Sequence, residues 1–192
     1  MRLSWRYGKP VELTTERLLL RSVSRRWIAR HSHPWTENEA VMSSLAMPTG
    51  SWTKRRWRRQ FTIPDNRSQI CLAVLEKANR HLIGFETIRI DGGVVAYLTV
   101  AIGDTDWWGK GVVLETRTAI LDYLFEVRGC VRVWGTPSTR NFSSIYNYQR
   151  LGFRNEGVLR DHGRRLGGGR SDMIAFGILA DEWRALRRKE AE

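Results

Sequence analysis

The spacing of apolar and polar residues predicts a helix-rich N-terminal third. The apolar run Leu18 to Val23 predicts a first strand, and Ser24 to His33 follows a helical pattern with Ser24 as its N-cap. Two further helical segments, Trp35 to Ala46 and Trp52 to Phe61, are separated by the helix-breaking sequence Pro48-Thr49-Gly50. A strand followed by three helical segments is therefore expected here.

The middle of the chain has the composition of strands. Ile70 to Leu75, Leu82 to Ile90 and Val94 to Ile102 are rich in β-branched and aromatic residues, and Asp91-Gly92-Gly93 provides a turn between the last two. These segments predict three consecutive strands arranged as an antiparallel meander.

From Val112 to Arg128 the pattern changes to that of an amphipathic helix. Polar residues recur at helical spacing opposite an apolar set formed by Val113, Ile120, Leu124 and Val127. The elements predicted after it are a strand, a helix and two strands: Val131 to Thr136, Asn141 to Arg150, Gly157 to Asp161 and Asp172 to Leu179. The glycine-rich segment Gly163 to Gly169 reads as the hairpin loop between the last two, and the whole order predicts an α/β (α+β) fold.

Length and composition favour one compact domain. The 192 residues are enough to bury a core without disulfides, and we expect residues 1–192 to form a single domain with its core in about 11–185. The two cysteines, Cys71 and Cys130, have neither metal-ligand nor redox spacing. No apolar run is long enough for a signal peptide or a membrane span, so we expect a cytoplasmic protein without a membrane partner.

The chain is strongly basic. It has 32 Lys and Arg against 20 Asp and Glu, a net charge of +12, which favours attraction to anions. The positive charge is densest in Thr53 to Gln60. A helix face that is merely solvated is the alternative interpretation of this run.

The segment Trp107 to Val113 (W-W-G-K-G-V-V) joins a predicted strand to the start of the amphipathic helix. Free backbone N–H groups and the helix dipole make such a junction a site for phosphate or pyrophosphate. The glycines also fit a tight turn with no ligand. A P-loop and a Rossmann fingerprint are both excluded, because neither pattern occurs here.

Two motifs resemble the GCN5-related N-acetyltransferase (GNAT) superfamily. Leu98 to Asp104, with the W-G-K-G loop and Glu115, resembles the family's acetyl-CoA-binding strand, loop and helix, although Asp106 stands where Gln or Arg is usual. The segment Asn141 to Phe153 is similar to the second signature, N-x-x-[AS]-x-x-x-Y-x-x-x-G-F. The early run E-R-L-L-L-R and the closing G-F-R-N-E-G-V-L-R resemble the branch of ribosomal-protein N-terminal acetyltransferases and polyamine acetyltransferases.

This resemblance implies a GNAT fold and an acetyl-CoA donor. The fold would have a mixed, mostly antiparallel sheet of six to seven strands, flanked by helices, with a splayed parallel strand pair at the acetyl-CoA site. The activity would be N-acetyl transfer to a primary amine of a small molecule, peptide N-terminus or aminoacyl conjugate, by direct attack in a ternary complex. The implied cofactor-binding residues are Val100, Ala101, Ile102, Trp108, Gly109, Lys110, Gly111, Val112, Val113, Asn141, Ser144 and Tyr148.

By the same resemblance, Tyr148 would protonate the departing CoA thiolate as general acid. A tyrosine packed on an amphipathic helix is the alternative, and Tyr146 lies two positions away, but only Tyr148 has the family spacing from Asn141. Asn141 would bond the pantetheine arm or the neighbouring backbone. A backbone N–H near Val100 to Ile102 would polarise the thioester carbonyl.

A general base is less clearly marked. Glu86, on the strand Leu82 to Ile90, is the candidate for this role and for contact with the acceptor. The alternatives are Glu115, Asp104, a water chain, or loss of the amine proton to solvent, with Glu86 then a solvated strand carboxylate.

For the acceptor, the basic helix is the candidate roof of the site. Trp52, Arg56 and Arg59 are expected to point outward over it, which would favour an anionic acceptor and disfavour a polyamine. Nucleic acid is expected only as part of a conjugate substrate, such as an aminoacyl-tRNA amine. The four histidines have no metal-ligand spacing, so no metal is predicted.

Two rival classes stay open at the level of sequence. One is a basic nucleic-acid-binding protein, favoured by the W-T-K-R-R-W-R-R run, and the other is a non-catalytic CoA-binding protein with a GNAT fold. The helical N-terminal region and the glycine loop would also suit a homodimer.

Overall fold

The computed structural model describes residues 8–191, which build one mixed sheet flanked by helices. The strand order in the sheet is β1-β2-β3-β4-β5-β6-β8-β7. The strands are β1 Glu12–Thr14, β2 Leu18–Ser22, β3 Gln69–Glu76, β4 Leu82–Asp91, β5 Val95–Ile102, β6 Arg132–Gly135, β7 Arg154–Arg164 and β8 Arg170–Leu179.

Six helices accompany the sheet in the described chain. They are α1 Arg25–Ser32, α2 Glu39–Ser44, α3 Lys54–Arg58, α4 Val112–Asp122, α5 Phe142–Arg150 and α6 Ala180–Ala191. Short 3₁₀ turns occupy His33–Glu37 and Thr105–Trp107, and a π-helical turn, Tyr123–Val127, continues α4. No helix in residues 8–191 is long and apolar enough to cross a membrane.

The sheet opens between β5 and β6, as the predicted splayed pair requires. All neighbouring strands in the described sheet run antiparallel except β5 and β6, which are parallel. Their pairing covers Val95 to Tyr97 on β5 and stops there, although β5 continues to Ile102. The outer edge of β5 beyond Tyr97 therefore faces a gap in the sheet.

The two faces of the sheet carry separate apolar cores. Ile88 and Leu98 pack under α4 and α5 with Ile120 and Leu124, in the larger core. Phe85 and Ala101, which alternate with these residues along the strands, point to the opposite face and pack with α1 to α3. Neighbouring side chains along β4 and β5 thus point to opposite faces of the sheet.

Several predicted elements are confirmed, and their caps explain their positions. Ser24 begins α1 and its hydroxyl accepts a hydrogen bond from Trp27 N at 3.2 Å. The meander β3–β4–β5, the β4–β5 turn, α4 and α5 all lie where the pattern predicts them. The N-terminal helices are shorter than predicted, because Asn38 caps α2 anew and Thr53 caps α3.

Three expectations on the fold were wrong, and one helix was not expected. The sheet has eight strands rather than six or seven, because the three-residue β1 pairs with β2. The segment Trp35 to Ala46 is a 3₁₀ turn followed by α2 rather than one helix. The C-terminal helix α6 was not predicted. Val127 is 71% exposed rather than core-facing, because the π turn changes the helical register just before it.

Candidate active site

A cleft of about 770 Å³ lies at the gap between β5 and β6. The edge of β5 forms one wall, the segment after β6 and the start of α5 form another, and the end of α2 and the β7–β8 hairpin cover it. Its lining includes Tyr97, Leu98, Thr99, Val100, Arg117, Thr136, Ser138, Arg140, Asn141, Ser144, Tyr148, Arg164, Arg165, Ser171 and Met173. The cleft therefore brings the β5 part of the first motif together with the second motif, whereas the W-G-K-G loop does not line it.

Tyr148 lies at the inner end of this cleft. Its side chain projects from α5, is 3% exposed, and packs edge-on against Phe153 and parallel to Phe176. The hydroxyl rests over Gly135 at the end of β6, where any Cβ would stand 2.7 Å from Tyr148 Cζ and closer still to Oη. Burial raises the pKa of the Tyr148 phenol, and the neighbouring Arg117 guanidinium opposes that rise. The phenol therefore keeps its proton at neutral pH.

A buried ion pair that the sequence pattern does not indicate lies beside Tyr148. Arg117 on α4 is 1% exposed, and its guanidinium carbon lies 4.7 Å from the centroid of the Tyr148 ring. Its Nε lies 3.6 Å from Glu86 Oε1, which accepts a hydrogen bond from Thr116 Oγ1 at 3.2 Å. A basic residue inside an amphipathic helix pattern gives no signal of burial, which is why Arg117 was missed.

Glu86 is not the solvated strand carboxylate of the alternative interpretation. It is 0% exposed, faces the α4 side of the sheet, and does not line the cleft. Burial raises the pKa of Glu86 to about 7, while Arg117 and Thr116 act to lower it. Glu86 therefore cannot contact an acceptor in the cleft, contrary to the expected substrate-binding role.

The other two carboxylates considered as bases are occupied elsewhere. Glu115 accepts hydrogen bonds from Thr15 Oγ1 at 2.6 Å and Arg17 N at 3.0 Å. Its partial burial acts to raise the pKa, but these bonds and Arg17 hold the pKa below its usual value. Asp104 caps the 3₁₀ turn Thr105–Trp107 and lies 2.7 Å from His81 Nε2. Neither carboxylate lines the cleft.

The glycine loop before α4 has the geometry of an anion cradle. Gly109 and Gly111 adopt φ of 73° and 74°, and no atom lies within 4 Å of a Cβ built on Gly109. Within the described chain no side chain caps α4 at Gly111, so the first backbone N–H groups of the helix stay available to a phosphate. These features fit the pyrophosphate of a coenzyme A thioester.

Contacts around this loop fix its path. Arg17 Nη2 donates to Lys110 O at 2.8 Å and pairs with Glu115, which ties the loop to the start of β2. Trp108 is partly exposed and its Nε1 donates to Ile102 O at 3.0 Å. Val112 is buried in the larger core, whereas Lys110 is exposed and Val113 is half-buried.

Residues of the β5 edge and of α5 complete the expected donor site. Val100 lines the cleft, while Ala101 is buried on the opposite face and Ile102 packs against the larger core. Asn141 caps α5 by accepting from Ser144 N at 3.0 Å, the backbone bond that was one of its two expected roles. Ser144 itself lines the cleft.

The basic helix does not form the roof of the cleft. Trp52 is 8% exposed and packs in the smaller core, where its ring meets Trp57 edge-on, so its expected outward position was wrong. Arg56 stacks on Trp52 at 4.6 Å, and neither Arg56 nor Arg59 lines the cleft. The cleft arginines are instead Arg117, Arg140, Arg164 and Arg165, and no acidic side chain of residues 8–191 lines it.

Metal ligands are not gathered anywhere in the described chain. Residues 8–191 contain no group of three or more His, Cys, Asp and Glu side chains that could hold a metal ion. Cys71 and Cys130 are both buried and free.

A splayed strand pair, a glycine loop with the geometry of an anion cradle and a buried tyrosine at the gap together form the candidate active site. The Acetyltransferase (GNAT) domain family matches residues 17–154. The chain therefore belongs to this family, whose members transfer an acetyl group from acetyl-CoA, and it is an acetyltransferase acting on an amine.

The similarity to individual relatives is low in sequence but extends over most of the chain. The chain is 24% identical over 184 residues to the [Ribosomal protein uS5]-alanine N-acetyltransferase of Escherichia coli (strain K12), covering 90% of this chain and 93% of that protein. A GNAT-family acetyltransferase from Bacillus anthracis superposes with a TM-score of 0.75 at 20% identity, covering 89% of this chain and 99% of that one. The spermidine N-acetyltransferase from Vibrio cholerae, solved with CoA and spermine, gives 0.72 at 22% identity, covering 87% and 98%.

Proposed function

We propose that this protein acetylates a primary amine with acetyl-CoA by direct attack in a ternary complex, with Tyr148 as general acid. The observation that carries the proposal is the Tyr148 hydroxyl, which rests over Gly135 at the gap between β5 and β6. A buried phenol with a raised pKa is protonated before the reaction, as an acid must be.

The chain's own groups would hold the donor along the gap. The backbone N–H groups at the start of α4, with Gly109 and Gly111, would bind the pyrophosphate. The free edge of β5 near Val100 would donate a backbone N–H to the thioester carbonyl oxygen. Bound there, acetyl-CoA supplies the activated acetyl group.

One acid, together with solvent, accounts for every bond and proton that changes in the transfer. The neutral amine forms the new C–N bond as the C–S bond breaks, and Tyr148 gives its proton to the sulfur. The amine's surplus proton passes to water, and the tyrosine regains its own from solvent. We propose solvent rather than Glu86 as the base, because Glu86 does not reach the cleft.

An anionic acceptor fits the cleft better than a polyamine does. Arg140, Arg164 and Arg165 line it without an ion pair among the described residues, and they would attract carboxylate or phosphate groups on the acceptor. Two relatives act on different amines by name, a ribosomal-protein alanine and spermidine. The cleft charge favours a peptide N-terminus or an aminoacyl conjugate over spermidine.

The remaining expectations stay predictions. We propose one domain over residues 1–192, a cytoplasmic location, no metal, and nucleic acid only as part of a conjugate substrate. We also propose that the protein forms a homodimer.

Thiol release tests the proposed reaction. Purified protein with acetyl-CoA is offered an acidic peptide, spermidine and an aminoacyl-tRNA, and free CoA is measured together with acetyl-CoA affinity by calorimetry. We expect Tyr148→Phe to lose about 10²-fold or more in kcat while acetyl-CoA affinity is kept. Tyr146→Phe, an exposed residue on the same helix, is the matched control. Unchanged turnover in Tyr148→Phe would remove this residue from the mechanism.

A further inference from the structure

The ion pair between Glu86 and Arg117 is incompletely bonded. Glu86 Oε2 and Arg117 Nε and Nη1 are buried and have no hydrogen-bond partner among residues 8–191. The desolvation of a buried ion pair can cost more than the attraction between its charges returns, and apolar side chains of similar volume often stabilise a fold equally well. The pair sits in the larger core among residues such as Ile88, Leu98 and Ile120, where an apolar contact would be ordinary. Stability alone therefore does not account for it.

The pair's position links it to the proposed acid. Arg117 lines the cleft, and its guanidinium lies over the ring of Tyr148 at 4.7 Å. Glu86 is held by Thr116, the residue before Arg117 on α4, so one turn of helix fixes both charges. The chain thus places the Arg117 guanidinium against Tyr148 and the Glu86 carboxyl group 3.6 Å from the same guanidinium.

We propose that Arg117 is a positioning residue that holds the Tyr148 ring over Gly135 and stabilises the phenolate left when the phenol gives up its proton, and that Glu86 anchors Arg117. This inference rests on the proposed function of Tyr148 as general acid.

The physical argument concerns the acidity of a buried phenol. Burial alone opposes loss of the proton, because the phenolate would lose its hydration. The Arg117 charge opposes that effect, so the phenol can protonate a thiolate without becoming too weak an acid. Glu86 acts in the opposite direction to Arg117 and with a smaller effect, so it offsets part of this positive field.

The titratable groups that face Tyr148 come from three elements. They are Glu86 on β4, Tyr97 on β5 and Arg117 on α4. From the other elements packed against the ring, β6 presents Gly135 and β8 presents Phe176, neither of which titrates. Variants at Glu86 and Arg117 therefore change the charges that face Tyr148, while the β6 and β8 residues against the ring carry no charge that could titrate in their place.

Two variants separate the charges while keeping the core filled. Glu86→Gln leaves Arg117 charged and removes the carboxylate, and Glu86→Gln/Arg117→Met removes both charges together. Removing both partners avoids a lone buried charge, so the double variant is expected to fold. Arg117→Lys in the wild-type background keeps a charge if the double variant is unstable.

The first measurement is the pKa of Tyr148 itself, from the NMR resonance of ¹³Cζ-labelled tyrosine, with the Tyr148→Phe variant used for assignment. We expect the pKa to rise in the order Glu86→Gln, wild type, double variant, with about one unit or more between the two variants. The same pKa in all three proteins would overturn the proposal.

The second measurement is kcat against pH, whose basic limb reports the acid in the bound complex. We expect that limb to move in the same order as the pKa of Tyr148, with the KM for acetyl-CoA little changed. Arg117→Lys, which keeps the positive charge, should have a kcat close to that of the wild type. A merely structural role would lower kcat without this ordered shift and would overturn the proposal.

Failure here is distinguishable from failure of the proposed function. If the pKa values order as expected but the basic limb does not follow, Arg117 tunes a tyrosine that is not the acid, and the role proposed for Arg117 is overturned. Acetyl transfer itself is judged separately, by thiol release from the wild-type protein.

Discussion

At the scale of single residues, the contact between Tyr148 and Gly135 leaves no room for a larger side chain at position 135. Gly135 is needed for space rather than for backbone freedom, because a Cβ there would collide with the Tyr148 hydroxyl. We expect Gly135→Ala to push the hydroxyl out of place, cutting kcat by about 10²-fold and destabilising the fold by about 1–3 kcal/mol. Turnover assays and urea denaturation measure the two effects.

A double variant distinguishes this contact from general damage. In a Tyr148→Phe background the hydroxyl is absent but the ring carbons remain, with Cζ 2.7 Å from a Cβ at Gly135, so adding Gly135→Ala should cost less stability than in the wild type and almost no further turnover. Equal losses in both backgrounds would mean that Gly135 and Tyr148 act independently.

At the level of residues, the resemblance to a family motif pointed to positions that line the cleft. Tyr148 and Asn141 both lie there, and their roles stay predictions. Arg117 and its pairing with the candidate base Glu86 could not be found in this way, because each residue resembles a solvated charge on an amphipathic element. Only the three-dimensional crossing of α4 over β4 reveals that the two meet.

At the scale of elements, the loop into α4 joins the cradle to the helix dipole. Gly111 has φ of 74° and open space around it, so Gly111→Ala would strain the backbone by about 1–2 kcal/mol without a steric clash. We expect the loop to relax and the N–H groups to turn from the pyrophosphate, weakening acetyl-CoA binding about tenfold. Calorimetric titration measures this change.

Gly92 offers the matched control in the β4–β5 turn. It also has a positive φ, 58°, and no atom within 4 Å of a built Cβ. Gly92→Ala should therefore lose similar stability but bind acetyl-CoA as the wild type does. If both variants bind equally well, the left-handed conformation of the loop does not matter for the cradle.

Long periodic elements were predictable from the chain, and short or irregular ones were not. The strands β3 to β5 and the helix α4 each extend over enough residues for their pattern to show. The strand β1 has three residues, and it forms because Leu13 pairs with Leu20 on the neighbouring β2. The helix α6 is largely charged, and the burial of Trp183 against the core is what fixes it.

At the scale of the whole molecule, the buried Glu86 should make stability depend on pH. Its pKa is raised to about 7 in the fold from an ordinary value of 4.5, so the folded state binds this proton more tightly than the unfolded chain does. The resulting stability is present below about pH 4.5 and is lost as the pH rises through 7, a change of about 3 kcal/mol.

Glu86→Gln isolates this effect from other titrations. As the pH rises from about 4.5 to 8, the free energy of unfolding of the variant should increase progressively relative to that of the wild type, as measured by urea denaturation. Glu16→Gln, at an exposed carboxylate, is the control, and its free energy of unfolding should depend on pH as that of the wild type does. A constant difference between Glu86→Gln and the wild type over this range would mean that the Glu86 pKa is not raised.

The overall charge of +12 divides into two basic regions that make different predictions for the acceptor. Arg164 and Arg165 of the β7–β8 hairpin line the cleft, whereas Arg58 and Arg59 near the end of α3 lie outside it. We expect Arg164→Gln/Arg165→Gln to raise the KM for acidic peptide acceptors several-fold. The KM should also depend less on salt, because the attraction between these arginines and the peptide, which salt screens, would be absent.

The matched pair Arg58→Gln/Arg59→Gln removes the same charge from α3, and initial rates with acidic and neutral peptides at two salt concentrations compare the two variants. Because α3 does not reach the cleft, its variant should keep the wild-type KM for both peptides. An equal rise in KM in the two variants would mean that long-range attraction by the whole basic surface, rather than the arginines of the cleft, selects the acceptor.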